Sequence, residues 1–183
     1  PERLKEFLTQ RYEKIELVGE SFSVLKVPIG EGLELDISIP RRESKTGRGY
    51  KGFTISSDPS MSVEEAARRR DFTMNAMAMD PITGEVLDPF NGQQDIKDRL
   101  IRVTDPERFQ DDPLRVLRAI QFLARMEFTV EEQSAQLMRE MVERGDLSDL
   151  TPERVTVELQ KLLVKAKRPS LGFEFGQSIG VIL

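Results

Sequence analysis

The chain has 183 residues and a formal net charge of −5, enough for one medium domain or two small ones and too acidic to coat nucleic acid by charge alone. Hydrophobic residues make up 38% and charged residues 32%, which predicts a globular chain with a modest core, and no run of about 18 apolar residues offers a membrane-spanning helix. Cys and His are both absent, which excludes disulfides, imidazole bases and most zinc sites, fits a reducing cytoplasm, and leaves chemistry to carboxylates, Arg and Lys, hydroxyls or a hard cation such as Mg2+.

The first residue is Pro1, and the chain enters a helical pattern at once, so it is expected to lack its natural beginning. Leu4, Phe7 and Leu8 stand at helical spacing and predict a helix over residues 2–12. Strands are predicted over Lys14–Gly19 and Phe22–Val27. Residues 32–40 alternate with period two. Leu33, Leu35, Ile37 and Ile39 are expected to face a core, with Glu34, Asp36 and Ser38 on the opposite face, and Pro40 ends the strand. Residues 41–52 are basic and Gly-rich and predict a mobile loop. Ser62 and Glu65 form a capping box for a helix running to about Arg70. A compact segment, Asp71–Asp80, follows, then a Pro81–Gly84 turn between two short strands. From about residue 105 helices dominate. Asp112 caps one with Pro113 in its first turn, a second covers Val130–Arg144, a third runs from Thr151-Pro152 to about Lys165, and a fourth covers Ser170–Gln177. The whole reads as a small mixed sheet followed by a helical domain.

Three groups of polar residues can carry chemistry, and each also has a purely structural explanation. Glu34 and Asp36 share a strand face and can share a metal, but a solvated strand face has the same pattern. Arg68-Arg69-Arg70-Asp71, with Asn75, suits a nucleotide, guanidinium to phosphate and carboxylate and amide to ribose. Arginines at a helix C-terminus equally suit the macrodipole. On a helical wheel Val116, Leu117, Ile120, Leu123 and Ala124 share one arc, and Asp112, Arg115 and Arg118 share the opposite one. Such an edge of acceptors and donors can read a base, or it can be a cap and a surface ion pair. Glu153, Arg154, Glu158 and Lys161 read as an ordinary charge-laced helix face.

Four stretches, LDISIPRRESKTGRGYKGF, RRRDFTMNAMAMD, DPFNGQQDIKDRLIRV and DDPLRVLRAIQFLAR, together resemble the class II tRNA nucleotidyltransferases, which comprise CCA-adding enzymes and bacterial poly(A) polymerases. The third carries the family's Asp-x-x-x-Gly-x-x-Asp pattern as Asp88, Gly92 and Asp95. The resemblance implies an α/β head of polymerase-beta-like type (residues 1–103, its mixed sheet N-terminally incomplete) and an all-α neck (residues 104–183). It also implies template-independent addition of CMP and AMP, from CTP and ATP, to the 3′ end of tRNA by a two-metal Mg2+ mechanism.

Asp36, five residues before Arg41, matches the third metal-binding carboxylate, and Glu34 matches none. Arg70, Asp71 and Asn75 match the triphosphate and ribose segment. Asp112 and Arg115 match the pair that imitates a complementary base, and Arg118 matches an Arg supporting either. The Arg41–Gly52 loop resembles one used in switching from CTP to ATP. The family's Asp-x-Asp pair is absent from these residues, so the chain itself is expected to be inactive. Gln121 stands where many relatives carry Arg. The rival expectations are a poly(A) polymerase acting on RNA 3′ ends and a non-catalytic nucleotide- or RNA-binding protein.

Overall fold

The computed structural model describes residues 2–12, 15–18, 24–45 and 53–181, in two compact units, Pro1–Ser62 and Val63–Leu183. Of the predicted strands, residues 14, 19, 22 and 23 lie outside the described residues, as do residues 46–52 of the predicted loop.

In the first unit helix α1 (Glu2–Thr9) precedes an antiparallel sheet of β1 (Glu16–Val18), β2 (Val24–Gly30) and β3 (Leu33–Ile37), in that spatial order. Leu8, Leu25 and Val27 form its core, with Leu4, Ile15 and Ile37 packed around them. The register pairs Leu25 with Ile37 and Val27 with Leu35 on one face, Lys26 with Asp36 and Pro28 with Glu34 on the other, so the period-two alternation holds. The expected burial of β3 does not: Leu33 is 60% exposed and Leu35 is 48% exposed. Leu33 lies opposite Gly30, which has no side chain to cover it, and β3 is an edge strand of this sheet. Residues 41–45, expected as part of a loop, are strand instead. Strands β4 (Arg41–Lys45) and β5 (Phe53–Ser57) pair antiparallel from Arg41↔Ser57 to Lys45↔Phe53. Ladder hydrogen bonds there outweigh a loop-like composition, because β propensity is weak against pairing.

In the second unit α2 (Val63–Arg68) leads into a 3₁₀ turn at Thr73–Asn75 and a hairpin of β6 (Ala78–Met79) and β7 (Val86–Leu87) around the predicted turn. Next come α3 (Gly92–Lys97), β8 (Leu100–Ile101), α4 (Pro106–Phe109) and α5 (Leu114–Met126). Strand β9 (Thr129–Val130) pairs parallel with β8, so Val130 is a strand residue and α6 starts later than expected, at Glu132–Glu143. Helices α7 (Pro152–Lys165) and α8 (Pro169–Ser178) follow the predicted spans closely. The apolar arc of α5 is buried throughout, Val116 and Ala124 completely. It packs in one core with Phe72, Ile101, Phe109, Met138, Met141, Leu162 and Ile179. Glu158 departs from the expected solvated face. It is 4% exposed, because this side of α7 packs on α5, and Lys161 Nζ donates to it at 2.7 Å.

Candidate functional site

Phe72 anchors the Arg-rich segment. Its ring is fully buried, 5.8 Å from Phe109 and edge-on to Phe122 at 5.9 Å. Burying a Phe in this way stabilises by roughly 3 kcal/mol. The backbone on either side is pinned as well. Phe72 bridges Val103, Thr73 N donates to Arg102 O at 3.0 Å, and Thr104 N donates to Asp71 O at 3.2 Å.

With the backbone held, the Asp71 carboxylate is 7% exposed and engages four nitrogens, three by hydrogen bonds and one by ion pairing. Its Oδ1 takes Phe72 N at 2.9 Å and Asn75 Nδ2 at 3.0 Å, and its Oδ2 takes Arg118 Nε at 2.7 Å and Nη2 at 2.6 Å. Three sequence-predicted site residues thus meet around one carboxylate. Arg118 also lies over the Phe122 ring at 5.4 Å. The Arg70 side chain is exposed and has no hydrogen-bond or ion-pair partner among the described residues.

The first turn of α5 adds a second polar group. Asp112 Oδ1 accepts Leu114 N at 3.2 Å, but the helix begins one residue later than expected, with Pro113 rather than Asp112 at the N-cap position. Both Asp112 oxygens also accept Arg154 Nη2, at 3.0 and 2.9 Å. Arg115 donates to two backbone carbonyls, Nη1 to Arg108 O at 2.5 Å and Nη2 to Arg69 O at 2.7 Å, so it ties α5 to the segment that carries Arg70. Sequence reasoning missed Arg154, which no local pattern marks. Gln121 is 1% exposed and accepts from Arg125 at 3.2 Å, which places it in the core rather than on this polar edge.

The Asp-x-x-x-Gly-x-x-Asp pattern has a structural part here. Asp88 accepts Gly92 N at 2.7 Å and Gln93 N at 2.9 Å, starting α3. A Cβ on Gly92 would stand 2.3 Å from Thr73 O, so only Gly admits this approach. Asp95, 5% exposed, accepts Thr73 Oγ1 at 2.7 Å and Arg102 Nε at 3.2 Å.

Asp36 belongs to the first unit. It and Glu34 are exposed, with Lys26 Nζ 3.7 Å from Asp36 and 3.2 Å from Glu34. The hydrogen bond to Glu34 and the charge of Asp36 raise the Lys26 pKa above its ordinary value. Among the described residues no three acidic side chains converge in one group.

Comparison with known proteins agrees with this architecture. Residues 1–102 match the poly A polymerase head domain, and residues 127–174 match the probable RNA and SrmB-binding site of polymerase A. A multifunctional CCA protein of Stenotrophomonas maltophilia is 47% identical over 157 residues, 84% of this chain and 37% of that protein. A CCA-adding enzyme solved in complex with ATP superposes with a TM-score of 0.79 at 30% identity, over 98% of this chain and 39% of that one. The Thermotoga maritima CCA-adding enzyme complexed with tRNA-CCA gives a TM-score of 0.75 at 31% identity, over 98% and 39%. The chain therefore spans less than two fifths of the length of each of these proteins. A polymerase-beta-like head followed by a helical neck, matched along nearly its whole length, makes this chain a member of the poly A polymerase head-domain family, which includes the CCA-adding tRNA nucleotidyltransferases.

Proposed function

We propose that this chain is the nucleotide-selecting part of a cytoplasmic RNA nucleotidyltransferase that adds CMP and AMP, from CTP and ATP, to the 3′ end of tRNA. The observation that carries this reading is the cluster of Asp71, Asn75 and Arg118 in the same unit as Asp112 and Arg115 on α5. In it, Asp71 and Asn75 supply an acceptor and an amide for ribose hydroxyls, and Arg70 is a phosphate-facing cation. Asp112 accepts from an exocyclic amino group of the base, and Arg115 donates to its ring edge, the donor and acceptor pattern of a pairing partner.

Asp36 is assigned as one carboxylate toward a divalent cation, Mg2+, which when bound would brace the triphosphate charge. With that single assigned ligand, the chain is expected to bind nucleotide without transferring it. The test is titration of the 183-residue chain with CTP, ATP, GTP and UTP. CTP and ATP should bind most tightly, Arg115→Ala should narrow the difference among the four, and Asp36→Ala should leave the order unchanged. Equal affinity for all four in the unaltered chain would overturn the selector reading, and selection of ATP alone would favour a poly(A) polymerase.

A further inference from the structure

We infer that Glu131, which no motif marks, is a positioning residue that holds the nucleotide-facing turn Thr73–Asn75 through a relay of charged side chains; the consequence for nucleotides rests on the proposed function above. The relay begins at the N-terminus of α6. Glu131 Oε2 caps that helix, accepting Ser134 N at 2.8 Å and Ser134 Oγ at 2.8 Å. Its Oε1 lies 3.1 Å from Arg102 Nη1. Arg102 in turn donates Nε to both oxygens of Asp95 at 3.2 Å, and Asp95 Oδ2 accepts Thr73 Oγ1 at 2.7 Å. A second strand runs alongside. Val103 N donates to Ser134 Oγ at 3.0 Å, and Thr73 N donates to Arg102 O at 3.0 Å.

The arrangement is more than a surface ion pair. The Glu131 and Asp95 side chains are 15% and 7% exposed, so each charge is held in a setting where losing its partner is costly. Among the described residues Arg102 stands between them, and it serves both carboxylates from opposite ends of one guanidinium, a geometry that a rigid planar fork allows. Thr73 directly follows the Asp71-Phe72 pair, and its turn sets where Asn75 meets Asp71. The helix cap of the neck and the ribose-facing residues are therefore joined by an ion pair and hydrogen bonds within one compact unit.

Two substitutions separate this role from capping. Glu131→Asp remains a good N-cap but is one methylene too short to reach Arg102, and Glu131→Gln keeps the length but loses the charge. Glu132→Gln, on an exposed residue of the same turn, is the control for charge alone. Amide hydrogen exchange of the 183-residue chain should quicken by about tenfold at Thr73, Asn75 and Ala76 in both Glu131 variants and stay unchanged in Glu132→Gln. CTP affinity, measured on the same samples, should fall by about threefold to tenfold in the two variants. Unchanged exchange at Thr73–Ala76 in Glu131→Asp, with α6 still protected, would overturn the relay. An unaltered chain that binds no nucleotide would instead overturn the functional reading, and the exchange data would still decide the relay.

Discussion

Removing the Arg118 guanidinium is the sharpest test of how the site is built. In Arg118→Met the Asp71 carboxylate, 7% exposed, keeps Phe72 N and Asn75 Nδ2 on Oδ1 but loses the Nε hydrogen bond and the Nη2 ion pair on Oδ2. Breaking a buried pair from one side typically costs 3–5 kcal/mol. Arg118 is 30% exposed, so water can reach the vacated oxygen and the loss should sit at the low end, about 3 kcal/mol. At a urea m-value near 2 kcal/mol per M that moves the unfolding midpoint down by about 1.5 M. Adding Asp71→Asn removes the stranded charge while keeping an acceptor for Phe72 N. The double variant should therefore recover at least half of the loss, a coupling that neither single change shows. A shift below about 0.3 M in Arg118→Met, or a double variant no more stable than that single one, would refute a buried, mutually dependent pair.

A Cβ added in Gly92→Ala meets Thr73 backbone at 2.3 Å, which cannot give way as a side-chain tip would, so the unit should lose about 1–3 kcal/mol in urea unfolding and Thr73–Asn75 amide resonances should shift. Acid should act through Glu131. Burial raises its pKa, but the hydrogen bonds from Ser134 and the charge of Arg102 outweigh burial and leave it below the ordinary value. A folded pKa below the unfolded one means that its contribution is complete above the unfolded value, about pH 4.3, and is lost as pH falls through the folded value. Glu131→Gln should thus flatten the acid limb of stability measured between about pH 5 and pH 2 relative to the unaltered chain, and an unchanged limb would contradict this assignment.

Much of this was readable from residue order, for definite reasons. The arc of α5 is set by a 3.6-residue period, and every apolar position assigned to it is buried. The faces of β3 were equally legible, since a strand alternates whatever surrounds it. Coverage was not, because Leu33 and Leu35 depend on what packs across from them, which the strand's own pattern does not encode. The same limit applies to charge. Asp112 reads as a cap from its neighbours, while Arg154, its partner 42 residues away, looks like one more surface cation until α7 is packed on α5. Asp95 belongs to a family pattern in the sequence, yet its burial against Thr73 depends on the side-chain-free approach at Gly92.

Gly172 places a limit on how the neck can move. A Cβ there would come within 2.6 Å of a Leu162 methyl and 3.1 Å of Ile120 O, so α8 lies almost backbone-to-backbone on α5 and is wedged by α7. Helices in such close contact cannot slide past one another without collision, and they respond to a push as one plate. Any adjustment of the polar edge must then come from side-chain torsions and from the chain entering α5 around residues 110–113. Under the proposed function, a cytosine and an adenine would be told apart by re-aimed side chains on a stiff mount.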